Sequence, residues 1–274
     1  MTGPGVEWIG RRSHRTDLIT DRQVAQFRMT LAGGLAPGEV PPGFHWTMIL
    51  DTAEPDQLGL DGHPKLGLFL PDLGLSRRMW AGGSMLFHAP LRCGETLTRE
   101  SVVADVTFKE GKSGRLGFVT LDHVWSVDGD IRIEESQSIV YRNDPKPGSA
   151  PVPEPAEAWP DACTWTFQPD PVLLFRYSAV TFNGHRIHYD QSYARDVEHY
   201  DGLVVHGPLQ ATWMLNLATD ILGCLPARFR YRGVSPLVCG DEVAVEARRT
   251  DVGIDLRVRR TRDGATTTQG SAAS

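Results

Sequence analysis

The sequence predicts an α+β protein made of two copies of one plan, each an antiparallel sheet wrapped around a long central helix. Three observations point there: a proline-rich run splits the chain, a hexapeptide recurs on either side of it, and period-2 segments outnumber helices. Asp144–Pro160 reads DPKPGSAPVPEPAEAWP. Its six prolines exclude a helix or a central strand, so it reads as an extended linker between residues 1–143 and 161–274. Pro90-Leu91-Arg92-Cys93-Gly94-Glu95 and Pro236-Leu237-Val238-Cys239-Gly240-Asp241 share the pattern Pro-Leu-x-Cys-Gly-acid. Each copy precedes an alternating segment, as expected of structural duplicates.

In the first copy, Thr20 is placed to cap a helix over Asp21–Ala32 that stops at Gly33-Gly34. The central helix should fall within Leu66–Trp80, but Gly67, Pro71 and Gly74 make it short or remodelled. Val102, Ala104, Val106 and Phe108 then point to one face of a strand. Two further strands, Arg115–Trp125 and Asp130–Tyr141, flank a Val127-Asp128-Gly129-Asp130 turn. In the second copy, Asp190–His199 reads as a short polar helix. Gly207–Cys224 is the strongest helix, with Leu209, Trp213, Met214, Leu217, Ala218 and Ile221 in a broad apolar stripe. Val243, Val245 and Ala247, then Ile254, Leu256 and Val258, alternate along strands before an Arg262-Asp263-Gly264 turn.

Composition narrows the function classes. Twenty-eight Lys+Arg against 34 Asp+Glu give a net charge of −6, a poor match to a phosphate backbone. No apolar run approaches membrane-spanning length, and Met1–Asp17 has no apolar core for a secretory signal. The four cysteines are dispersed without a CxxC pair, so neither a zinc ribbon nor a disulfide scaffold is expected. The expectation is a cytoplasmic protein with no nucleic-acid or membrane partner. Nucleotide-binding, P-loop, nucleophile-elbow and zinc-protease motifs are lacking.

Polar chemistry concentrates between Arg176 and Leu209, where four of the nine histidines fall between 185 and 206. Asn183-Gly-His-Arg-Ile-His188-Tyr-Asp190 is followed by Val205-His206-Gly207-Pro208 at the start of the buried helix. This pattern resembles the overhang motif of the MaoC-like hydratase/dehydratase family, a branch of the hot-dog superfamily. Ser76-Arg-Arg-Met-Trp-Ala-Gly-Gly83 and Gly111–Phe118 are similar to the mesaconyl-C4-CoA (3-methylfumaryl-CoA) and itaconyl-CoA hydratase branch. The Phe182–Asp190 stretch is also similar to mitochondrial-type 3-hydroxyacyl-thioester dehydratases.

The resemblance implies a double hot-dog hydro-lyase that adds water to an α,β-unsaturated acyl-CoA. The most fitting substrate is a short branched dicarboxylic one, 3-methylfumaryl-CoA or itaconyl-CoA, giving citramalyl-CoA. The N-terminal repeat would shape the acyl and CoA pocket without catalysing, and the C-terminal repeat would carry the chemistry. Hydration needs a base for water, an acid for the α-carbon and donors for the thioester oxygen. His188 suits the base, and the Gly207 N–H at a helix N-terminus suits the oxyanion. Asn183 stands where many family members carry Asp. It can orient water but cannot take its proton, which would leave His188 to act alone. Arg77 and Arg78 are either a clamp for an anionic group or a solvated pair. Trp80, Arg176 and His206 complete the expected substrate-binding set. Asp190 is either a helix cap or a site residue, and His185 reads as structural.

No cofactor or metal is expected, CoA entering as part of the substrate. The two repeats are expected to form a pseudo-dimer within the chain, a plan compatible with a homodimer of chains. Two other readings stand beside this one: a fatty-chain (R)-specific 3-hydroxyacyl-thioester dehydratase, and a non-catalytic acyl-thioester binding subunit.

Overall fold

The computed structural model describes residues 4–111, 114–143 and 154–274. The expected linker therefore falls largely outside the described residues. Its last part packs along the second half, where Ala156 N–H donates to Gly264 O at 2.9 Å.

In chain order the elements are β1 (Arg12–Leu18), α1 (Asp21–Thr30), β2 (Arg77–Phe87), β3 (Thr96–Gly111), β4 (Gly114–Val127) and β5 (Asp130–Arg142). The second half contains β6 (Cys163–Phe167), α2 (Pro171–Val180), α3 (Gly207–Leu222), β7 (Arg228–Gly233), β8 (Val243–Thr250), β9 (Gly253–Arg260) and β10 (Thr266–Ala273). All strands pair antiparallel in one sheet of order β1-β3-β4-β5-β2-β7-β10-β9-β8-β6. Each half thus contributes five strands in the same internal order, and the halves join edge to edge through β2 and β7.

The repeated hexapeptide occupies equivalent corners, between β2 and β3 and between β7 and β8. Gly94 (φ +84°) and Gly240 (φ +95°) both take the left-handed conformation that glycine adopts without strain. Gly94 N–H donates to Ile19 O at 2.8 Å, and Gly240 N–H to Pro169 O at 2.7 Å. Each acceptor directly precedes a helix cap. The Thr20 side chain accepts from Gln23 N–H in a capping box, and Asp170 Oδ1 accepts from Leu173 N–H at 2.7 Å.

The β4–β5 hairpin turns at Asp128 (φ 50°) and Gly129 (φ 89°), the left-handed pair of a tight primed turn. The register of β3 differs from the simple alternation. A bulge between Val103 and Asp105 shifts it, so Ser101, Val103 and Val106 are buried rather than Val102 and Ala104. In β8, Val243 to Ala247 are all buried, because α3 covers one face and the Glu246–Arg257–Arg259 ion pairs fill the other.

The helices are where the halves part. Residues Leu209 to Thr219 of α3 are all buried, and α3 packs on β8, β9 and β10 while touching β2 and β7. No matching long helix exists in the first half among the described residues; the corresponding segment holds one buried 3-10 turn, Phe44–Thr47. Leu66–Ser76 is irregular, as its Gly and Pro content requires. The chain from Gly34 to Gly43 lies instead across α3. Buried Asn216 on α3 accepts from Ala36 N–H at 3.1 Å and donates to Pro42 O at 2.9 Å. Gly43 (φ +88°) lies so close to α3 that a Cβ there would sit 3.0 Å from Thr212 Oγ1. One helix therefore serves both halves of a shared core. No helix among the described residues is long and apolar enough to cross a membrane.

Candidate active site

The overhang motif lies between α2 and α3. Thr181 ends α2, Phe182 turns the chain at φ 49°, and Asn183 N–H donates to Ser178 O at 2.8 Å. Asn183 Oδ1 then accepts from the His185 N–H at 2.9 Å, an Asx turn that fixes the entry to a 3-10 turn over Arg186–His188. The Asn183 side-chain carbonyl is committed to building this loop.

His188 is buried, with Nδ1 at 2.6 Å from Val204 O. A carbonyl only accepts, so Nδ1 carries the hydrogen and Nε2 is left with a lone pair, the tautomer a base requires. The His188 ring stacks on His206 with centroids 3.6 Å apart, and His206 Nε2 lies 2.8 Å from Ser178 Oγ. Burial pushes His188 down from 6.5 to about 3, and the neighbouring His185 adds to this against the Val204 bond. His206 is lowered by burial and by His188. Both rings are neutral at pH 7, which lets them stack.

His206 is the N-cap of α3, and Gly207 and Pro208 begin the helix. The N1 N–H of Gly207 has no carbonyl within the helix to accept it, and the helix dipole adds positive potential there. A Cβ on Gly207 would meet only Trp80 O, at an ordinary 3.7 Å. Packing therefore does not demand glycine here. Trp80 borders the site through this carbonyl, while its Nε1 donates to Gly82 O at 3.1 Å.

The arginines expected on substrate occupy different places. Arg77 is 5% exposed, with Nε 3.1 Å from Glu198 Oε2 and Nη2 donating to Val197 O at 3.2 Å. It is a buried brace from β2 to the turn after the overhang loop, not an open clamp. Arg78 Nη2 donates to Pro64 O at 2.6 Å and lies 3.8 Å from Asp61. Arg176 is exposed on α2. Asp190 acts as the cap: Oδ1 accepts from Tyr193 N–H at 2.9 Å, and Oδ2 pairs with Arg186 at 2.7 Å. The helix expected over Asp190–His199 contains a π-helical turn at Tyr193–Val197.

Two groups were not readable as site residues. Asp61 and His63, on the long connection between α1 and β2, reach His185. His63 Nδ1 is 3.2 Å from Asp61 Oδ2, and the His63 and His185 rings are 4.4 Å apart. The donor atoms of the three all lie within 4.8 Å of one another. Arg78 beside Asp61 supplies positive charge that a cation there would have to oppose, so the trio reads as a hydrogen-bonded acid–base cluster. The second group is in the first half. Buried Glu135 accepts from Trp46 Nε1 at 2.8 Å, Trp125 Nε1 at 3.1 Å and Gln137 Nε2 at 2.8 Å, with His45 Nε2 3.6 Å away. Burial alone would raise the Glu135 carboxyl, but His45, His123 and the Trp46 indole bring it down to about 2.

Comparison with known proteins bears on the family and the fold. The family model for hydroxyacyl-thioester dehydratase type 2 matches residues 43–239. The mesaconyl-C(4)-CoA hydratase of Chloroflexus aurantiacus is 42% identical over 263 residues, covering 94% of each chain. The mitochondrial hydroxyacyl-thioester dehydratase type 2 of Schizosaccharomyces pombe is 28% identical, covering 80% of this chain and 84% of that one. Among solved structures, HtdX of Mycobacterium tuberculosis superimposes with a TM-score of 0.70 at 18% identity, covering 96% of this chain and all of that one. A second Mycobacterium tuberculosis protein, described as having a double hotdog fold, gives 0.56 at 14% identity, covering 97% and 96%. The chain is a double hot-dog hydro-lyase and belongs to the hydroxyacyl-thioester dehydratase type 2 family.

Proposed function

We propose that the protein hydrates a short, branched, dicarboxylic enoyl-CoA, with 3-methylfumaryl-CoA (mesaconyl-C4-CoA) as the leading substrate. The carrying observation is the pairing of an acceptor Nε2 on His188 with the N1 N–H of Gly207, which has no acceptor within its own helix, on the same short loop-to-helix junction. The 42% identity to a mesaconyl-C(4)-CoA hydratase across nearly the whole chain supports the substrate.

In this reading His188 Nε2 takes a proton from water as the water oxygen bonds to the β-carbon. The C=C pair moves toward the thioester oxygen, where the Gly207 N–H and the α3 dipole stabilise the developing charge. His206 holds the His188 ring in plane by stacking, and Asn183 fixes the loop. No metal or cofactor takes part. We also place the protein in the cytoplasm, a reading supported by four free cysteines.

The test is steady-state hydration of 3-methylfumaryl-CoA, itaconyl-CoA, crotonyl-CoA and a long-chain enoyl-CoA, followed by loss of enoyl absorbance. The dicarboxylic thioesters should give the highest kcat/KM. Preference for the long chain would favour the fatty-acyl dehydratase reading. Thioester binding without turnover of any of the four would overturn the enzymatic mechanism.

A further inference from the structure

The overhang loop does not stand alone. The turn Gly59–His63 of the first half is closed by Gly59 N–H donating to His63 O at 2.7 Å and Gly62 N–H to Gly59 O at 3.0 Å. It is fastened to the overhang loop at several points. Arg186 N–H donates to Asp61 O at 2.9 Å, and Arg186 Nη1 to Leu60 O at 3.1 Å. Gly62 (φ +87°) meets Gly184 backbone to backbone: a Cβ on Gly62 would fall 2.0 Å from Gly184 O, and one on Gly184 would fall 2.6 Å from Gly62 O. Only glycine at both positions allows this contact.

The contact sets four imidazoles in a row. His63 and His185 are 4.4 Å apart between centroids, His185 and His188 5.5 Å, and His188 and His206 3.6 Å. Exposure falls along the row: 28% for the His63 side chain, then 9% for His185, 6% for His188 and none for His206. Asp61 caps the outer end through its 3.2 Å contact with His63 Nδ1. The other charged or titratable groups facing this end are Arg78, 3.8 Å from Asp61, together with Arg186, Tyr189 and Asp190 around the loop.

We propose that His185 is the second proton-transfer group of the centre and that Asp61 and His63, from the other half of the chain, position it and stabilise its charge. This rests on the hydratase reading above. The proton that His188 Nε2 takes from water passes to the adjacent His185. From there it goes to the substrate α-carbon as the electron pair returns from the thioester oxygen to form the Cα–H bond. Water supplies both the hydroxyl and the new Cα–H proton, so nothing is gained from or lost to solvent. While His185 carries the proton, the Asp61 carboxylate, relayed through His63, offsets the positive charge. Burial, then His63, holds the resting His185 down at about 3, so the imidazolium forms only in passage. The shuttle takes the place of the carboxylic acid that Asn183 cannot provide.

The experiment compares kcat and KM across pH for wild type, His185→Gln, His63→Gln and Asp61→Asn, on whichever enoyl-CoA the wild type turns over. Each variant keeps the side-chain size, and a thermal melt establishes that it folds. His185→Gln should lower kcat about 100-fold. His63→Gln and Asp61→Asn should lower kcat about tenfold with KM within about twofold, the split expected of groups that act on proton transfer and not on binding. The His63→Gln/His185→Gln double variant should be no slower than His185→Gln alone, because His63 acts through His185. Wild-type kcat in His63→Gln and Asp61→Asn would overturn the proposal and leave the hydratase reading intact. So would an effect confined to KM or melting temperature with kcat unchanged. Wild-type protein inactive on every thioester would overturn both.

Discussion

The two halves share a sheet plan and differ in what they place upon it. Each lays five antiparallel strands in the same internal order, with a glycine corner hydrogen-bonded to the residue before a capped helix. Among the described residues, only the second half then builds a long helix with a histidine-lined N-terminus. The first half replaces that helix with irregular chain and a buried carboxylate held by two indoles. A strand in a sheet must keep its register, because a one-residue slip would turn its buried face outward. A central helix has no such neighbour-by-neighbour constraint, and one long helix covers the junction once the halves are fused. The sheet is therefore the duplicated feature, and the helix and its chemistry are not.

The largest expected effect separates the halves by chemistry. His188→Gln should lower kcat about 1000-fold while the protein stays folded, whereas His45→Gln, at the carboxylate cluster of the first half, should leave kcat within about twofold. Steady-state rates with circular dichroism on both variants check this pair. Equal losses would mean that both halves carry chemistry.

The brace between the halves comes next. Arg77→Ala leaves Glu198 buried beside the vacated guanidinium site and should cost about 3–5 kcal/mol in urea unfolding. Acid stability then distinguishes the two buried polar centres. His185 and His188 are held near 3 in the folded state against 6.5 when free. The unfolded chain therefore takes up protons first as pH falls, and stability present above pH 6.5 is lost progressively down to about pH 3. Glu135 is held at about 2 against 4.5, so its contribution is present above pH 4.5 and is lost as pH falls toward 2. The free-energy change over that window is about 3 kcal/mol. Urea unfolding at pH 8, 5.5 and 3.5 should show the first loss reduced in His188→Gln and the second reduced in Glu135→Gln. The smallest effect belongs to exposed Arg176 on α2: Arg176→Ala should change kcat/KM less than about twofold and stability by less than about 0.5 kcal/mol.

Much of this was legible in the sequence, because it depends on local rules. Thr20 as a cap, the Asp128-Gly129 turn, the apolar stripe of α3 and the spacing from Asn183 to His188 all act within one turn or one strand. The missing features are set by distant partners. The loss of the central helix in the first half follows from Asn216 and Thr212 receiving the chain from Gly34 to Gly43, which no local pattern encodes. Nothing local in Asp61-Gly62-His63-Pro64 marks that Gly62 lies against Gly184. Arg77 and Arg78 stayed open between a clamp and a solvated pair, because neighbouring arginines carry no mark of the Glu198 carboxylate and the Pro64 carbonyl they meet. Val103 differs from the expected alternation because a bulge moves a register by one residue without altering composition.

A single α3 shared by both halves has a consequence for synthesis. The first five strands leave the ribosome before the helix that covers part of them exists, with Trp46, Met85 and Phe87 among the side chains of the common core. At cellular elongation rates of about 5–20 residues per second, the eighty residues from the end of β5 to the end of α3 take roughly 4–16 seconds to appear. During that interval the nascent N-terminal sheet presents an apolar face and an unpaired β2 edge. The newborn chain should therefore lean on holding chaperones, and a stop or pause after residue 143 should leave an aggregating fragment instead of a folded half.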